Sequence, residues 1–187
     1  ITIGTLPGIG SLFLGYCSDF RVIVGTAVYT TAFTPPTAPL TAITNTQLLC
    51  NMTNGAIYDS AMMNDLETVG NAQISTTVKK YGTGSMYFDG TGDYLNVASN
   101  SNLDFGTGDF TVEAWVYFSD NTNYYTAVGT GNYTTTTTNM YVLRQTNSGK
   151  LQLFYGNQSS QNNITGSTTM AANSWNHVAV TRSGTTI

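Results

Sequence analysis

The chain is 187 residues long with a net charge of −4, and only 9% of its residues are charged. Its 33 Thr, 18 Asn, 14 Ser and 19 Gly favour strands and turns over helix interiors, while 41% hydrophobic and 12% aromatic content sets it apart from a disordered polar tract. Six Lys and Arg residues, mostly spread singly, exclude the basic footprint of a nucleic-acid binder. No apolar run nears the ~20 residues of a membrane span; the longest, Ala114–Phe118, stops at Ser119. The length allows one large all-β domain or parts of two. The opening Ile1-Thr2-Ile3 and closing Thr185-Thr186-Ile187 lead to the expectation of an interior or processed piece of a longer polypeptide, with no signal peptide. Cys17 and Cys50 are read as buried thiols in preference to a disulfide.

Residues 1 to about 32 form a short β unit. It ends at Phe33-Thr34-Pro35-Pro36-Thr37-Ala38-Pro39-Leu40, where three prolines in eight residues force an extended path outside any central strand. A connector follows, in which Ser60–Glu67 tolerates one short helical turn. The main β pattern starts near Tyr81. Within it Thr111–Phe118 alternates strictly, with Val112, Ala114, Val116 and Phe118 on one face and Thr111, Glu113, Trp115 and Tyr117 on the other. Thr134–Thr138 is either a loop tip or an exposed edge strand. Met140–Arg144 and Lys150–Tyr155 are predicted as a hairpin across Gln145–Gly149, and Trp175–Arg182 as a further strand. Short strands between Gly/Asn/Thr loops point to an all-β sandwich or barrel.

Three segments carry a resemblance: Phe88-Asp89-Gly90-Thr91-Gly92-Asp93-Tyr94-Leu95, then Phe105–Val116, then Trp175-Asn176-His177-Val178-Ala179-Val180-Thr181-Arg182. In order and spacing they resemble the laminin-G-like, concanavalin-A-like jelly-roll family, which implies a sandwich of two antiparallel sheets. Leu14–Val22, Gly25–Thr30 and the proline-rich exit resemble the end of such a module. With Asp65–Ile74 following, the whole is similar to tandem modules of structural proteins in tailed phages, marine and cyanobacterial ones especially. The resemblance divides the chain into closing strands and exit (1–50), a connector (51–80) and the main part of a jelly roll (81–187). Residues 1–32 then either close the sandwich of residues 81–187 in permuted order or belong to a neighbouring module or chain.

The resemblance also implies candidate chemistry. The fold hosts glucanases, whose retaining members need two carboxylates about 5 Å apart. On the comparable strand Glu113 stands alone, so no catalytic residue is assigned and the chain is expected not to be an enzyme. His177 is read as a hydrogen-bonded strand residue. Calcium wants several oxygen ligands, and such relatives bind it at a loop rim; Asp89, Asp93, Asp104 and Asp109 flank the Gly-rich turns, where turn capping is the preferred reading and calcium the alternative. Sugar binding would use aromatic faces with amides, and Tyr124, Tyr125, Asn132, Tyr133, Asn157 and Gln158 are the candidates. The implied role is a virion surface protein (tail fibre, capsid fibre or decoration protein), extracellular and surrounded by other virion proteins and copies of itself. Host-surface polysaccharide is the expected ligand, with no nucleic acid and no membrane insertion. A secreted bacterial lectin-like adhesin is the alternative, a polysaccharide-cleaving enzyme the third reading.

Overall fold

A computed structural model describes residues 1–5, 10–53, 56–61, 63–98, 100–130, 140–157 and 160–187, without the Asn157 side chain. The strands are β1 (Thr2–Ile3), β2 (Leu14–Val24), β3 (Thr46–Cys50), β4 (Leu66–Val69), β5 (Gln73–Ser75), β6 (Ser85–Asp89), β7 (Tyr94–Val97), β8 (Phe110–Phe118), β9 (Tyr125–Gly129), β10 (Met140–Gln145), β11 (Lys150–Asn157), β12 (Ser160–Thr169) and β13 (Trp175–Arg182). They form two antiparallel sheets. The first runs β12-β11-β10-β9-β1-β7-β4 and the second β13-β8-β2-β6-β5, with β3 also pairing β2. The only helical element described is a 3-10 turn at Ser101–Leu103, which is not long enough to cross a membrane.

The alternation in Thr111–Phe118 is realised in β8. Val112, Ala114, Val116 and Phe118 enter the core between the sheets, against Ile3, Leu95, Val97, Ala127 and Leu143 of the first sheet. Each fully buried side chain of this size contributes about 1.5–3 kcal/mol. Cys17 and Cys50 are free and buried, and burial, then the Asp19 charge, pushes the Cys17 thiol up to about 12.

β1 and β2 lie inside this sandwich. β1 sits between β7 and β9, and β2 lies between β8 on one edge and β6 and β3 on the other. Gly15 makes the β2–β8 approach achievable: at φ 147° a Cβ there would lie 1.9 Å from the Tyr117 carbonyl oxygen. Between Ser18 and Arg21 the register shifts, and Asp19 takes φ 51°, a left-handed conformation that Asp tolerates better than most residues.

Several elements differ from the sequence expectation. The connector contains β4 and β5, and β4 takes in Leu66 and Glu67, the last two residues of the Ser60–Glu67 window that tolerated a helical turn. Asn157, a sugar-binding candidate, is the last residue of β11 and lies opposite Ser160 at the start of β12. β12 escaped notice because all ten of its residues are exposed and so show no apolar alternation. The threonine run 134–138 lies outside the described residues.

Candidate functional site

At one rim of the sandwich β7, β9, β11 and β13 end while β8, β10 and β12 begin. Between the sheets at this rim lies a cleft of about 1410 Å³, larger than the ~300–1,000 Å³ of small-molecule pockets. Its floor is a cross-strand row on the first sheet, because Tyr141 lies opposite Tyr155 and Tyr155 opposite Asn162. Asp104, Phe105 and Arg182 approach from the other side. Phe105 stacks on Tyr141 at 4.2 Å between centroids and on Phe110 at 4.2 Å, which fixes the Tyr141 ring. The Tyr141 hydroxyl is buried with no hydrogen-bond partner among the described residues. Burial first, and the Asp104 charge second, push this phenol well above its ordinary range, so it keeps its proton and can both donate and accept.

Of the residues proposed from sequence for sugar binding, only Tyr124 and Tyr125 have described side chains. Asn132, Tyr133 and Gln158 lie outside the described residues, as does the side chain of Asn157. The described residues next to them, Thr130, Gly156 and Ser160, line the cleft. Tyr124 and Tyr125 stand at the opposite rim, at the start of β9. Tyr124 is 41% exposed under the Arg144 guanidinium, 4.7 Å from its centroid. Tyr125 has no face to offer: its ring is buried in the core, stacked on Phe118, and its hydroxyl donates to Asp120.

The four aspartates do not converge. Asp93 is buried, accepting the Asn71 N–H (2.9 Å) and the Asp89 N–H (3.0 Å) through different oxygens. Asp89 accepts the Thr91 N–H, Asp104 the Gly106 N–H and Asp109 the Gly184 N–H. Each is a turn cap. Asp89 and Asp93 flank the β6–β7 turn, whereas Asp104 lines the cleft and Asp109 directly precedes β8. No group of three or more His, Cys, Asp or Glu assembles among the described residues.

A second polar assembly occupies the outer face of the second sheet. Glu113 points away from the core yet is 0% exposed, because the segment 25–45 lies over it. One carboxylate oxygen accepts from Arg21 Nε (2.9 Å) and Nη2; the other accepts from the Tyr29 hydroxyl (2.6 Å) and faces His177 Nε2 at 3.1 Å. Burial opposes ionisation of Glu113, but the hydrogen bonds from His177 and Tyr29 and the Arg21 charge outweigh it and hold the carboxyl below its ordinary range. Phe33 stacks on Tyr29 at 3.7 Å. The roof is further tied by the Arg21 Nη1 bond to the Thr41 carbonyl, the Asp19 carboxylate to the Leu40 N–H, and the Tyr81 hydroxyl to the Pro36 carbonyl. Sequence reading isolated Glu113 and His177 but missed Arg21 and Tyr29, which lie 92 and 84 residues from Glu113. The register of β2 against β8, with Arg21 opposite Glu113, is what joins them.

A family model described as the concanavalin A-like lectin/glucanases superfamily matches residues 89–187. The chain belongs to this superfamily. No curated protein and no solved structure matches it. As a lectin/glucanase superfamily member it carries the two-sheet sandwich of the family, with β7 through β13 inside the matched segment. In this member the one glutamate of the β8 outer face is surrounded by Arg21, Tyr29 and His177, none of them acidic.

Proposed function

We propose that this lectin/glucanase superfamily member is a non-catalytic carbohydrate-binding module that displays its rim cleft on the surface of a virion, as part of a tail fibre, capsid fibre or decoration protein. The observation that carries the binding role is the Tyr141–Tyr155–Asn162 floor of the cleft with its unpartnered buried hydroxyl. Aromatic faces with a few convergent polar groups are the chemistry that sugars require. The non-enzymatic part is supported by Glu113: a retaining hydrolase needs a second carboxylate about 5 Å away and an accessible acid, and Glu113 is enclosed with a cation, a phenol and an imidazole. The virion assignment rests on the similarity of Leu14–Val22, Gly25–Thr30, the proline-rich exit and the following Asp65–Ile74 to tandem modules of phage structural proteins. Its neighbours would be other virion proteins and copies of itself, and its ligand a host-surface polysaccharide. Repetition on one particle converts weak single contacts into firm attachment through effective concentration.

The test is a glycan array probed with the protein multimerised on beads. Binding to polysaccharide that falls at least tenfold with Tyr155→Ala is the expected result. No signal at high multivalency removes the binding role and leaves display alone. Release of reducing sugar from laminarin or agarose would overturn the non-enzyme reading.

A further inference from the structure

Beyond the roof, the same outer face of the second sheet carries four aromatic side chains in one line. Tyr87 of β6 lies opposite Tyr16 of β2, Tyr16 opposite Tyr117 of β8, and Tyr117 opposite Trp175 of β13. Successive centroids are 5.0, 5.5 and 5.7 Å apart. Four strands at ~4.8 Å spacing make the row about 14 Å long, more than a single sugar ring occupies. All four rings are half-buried and hold one another edge-on or tilted, so little side-chain freedom is left to lose on binding. The exposed Gln73 continues the line on β5, opposite Tyr87.

We propose that this row is a second carbohydrate-binding face, distinct from the rim cleft, and that it takes an extended, uncharged polysaccharide lying across the strands. The row itself bears no ionic side chain, so it matches a neutral polymer and gives no charge pairing to an anionic one. Its three phenol hydroxyls and indole N–H make no hydrogen bond within the described residues, leaving four polar tips beside four ring faces. A peptide strand finds no backbone there, because β2 and β8 have both edges paired. The length of the line selects a run of linked sugars over a single terminal one.

The experiment is affinity gel electrophoresis of the whole chain in gels containing laminarin or agarose, both neutral polymers, with glucose and galactose as competitors. Retardation by at least one polymer, unaffected by the monosaccharides, is expected. Tyr117→Ala and Trp175→Ala should each weaken it about tenfold, while Tyr117→Phe and Trp175→Phe keep most of it and all four variants retain the wild-type circular dichroism. Tyr155→Ala in the cleft should leave the retardation in place. Wild-type retardation in the folded Tyr117→Ala and Trp175→Ala proteins would overturn the row, as would equal competition by a monosaccharide. Loss with Tyr155→Ala alone would overturn the row while preserving the cleft, and failure of the wild type to bind either polymer would also reject the proposed row.

Discussion

The outer face of the second sheet is built from one set of strands but behaves as two surfaces. Around Glu113, residues 25–45 roof the sheet, and the side chains beneath are polar and closed off: Arg21, Glu113 and His177, with Tyr29 and Phe33 above them. Two and four residues further along β8 the face changes. Trp115 is still 7% exposed, with the Lys80 ammonium 3.9 Å over its ring. At Tyr117 the roof has ended and the neighbours are Tyr16, Tyr87 and Trp175. The difference lies in what each surface must satisfy. A roofed charge needs a full set of partners or it is strongly destabilising; an open aromatic can keep a polar tip free for solvent or ligand.

That contrast can be broken from either side. The largest effect is expected from Gly15→Ala, whose Cβ would meet the Tyr117 carbonyl oxygen at 1.9 Å. With backbone on both sides and φ in the left-handed half of the map, nothing cheap can move. We expect a loss of about 4 kcal/mol or more, read by urea denaturation, and near-normal stability would mean β2 and β8 are spaced more widely. Glu113→Ala comes next. It strands the buried Arg21, at a cost of about 3–5 kcal/mol, whereas replacing both residues by Leu and Met should come out roughly neutral. If the single variant is as stable as the double, the roofed pair is more hydrated than described.

Acid supplies a third probe. Because the folded-state Glu113 carboxyl lies below its ordinary 4.5, its contribution to stability is complete above that value and is lost as pH falls through the lowered one. Wild-type stability should therefore decline faster than that of Glu113→Gln as pH falls below about 4.5, and parallel profiles would contradict the shift. The smallest effect is at the edge of the roof. Tyr81→Phe removes the bond to the Pro36 carbonyl (2.8 Å), worth about 1 kcal/mol, and should raise proteolytic nicking between residues 25 and 45 while leaving polysaccharide retardation by the open row unchanged.

The strands that face the core were legible because burial on one side writes a period of two into the chain. Val112, Ala114, Val116 and Phe118 set the phase of β8, and the same phase put Glu113, Trp115 and Tyr117 on the other face. β12 left no such trace, since neither of its faces is buried, and β4 and β5 are too short to show a period. The sites were less legible. Each loop proposed for sugar binding was chosen by composition, which cannot tell which rim a loop occupies, so Tyr124 and Tyr125 came out opposite the cleft. The Glu113 assembly and the aromatic row depend on which strands become neighbours: Tyr16, Tyr87, Tyr117 and Trp175 line up only because β2 enters between β6 and β8.

The insertion of β1 and β2 into the middle of both sheets also has a consequence in time. Thr2 pairs with Gly129, Ile3 with Val128, and Leu14–Val24 with residues between Met86 and Phe118. At 5–20 residues per second, chain growth would take roughly 5–25 s to supply the residues that β1 needs on both sides. In that interval Phe20–Ile23 can pair with β3, but Leu14–Val24 lacks its β6 and β8 partners until residues 89 and 118 have been made. So large a share of distant pairings places this chain among slow folders, and makes the interval between synthesis and closure the period when it is most exposed to wrong partners.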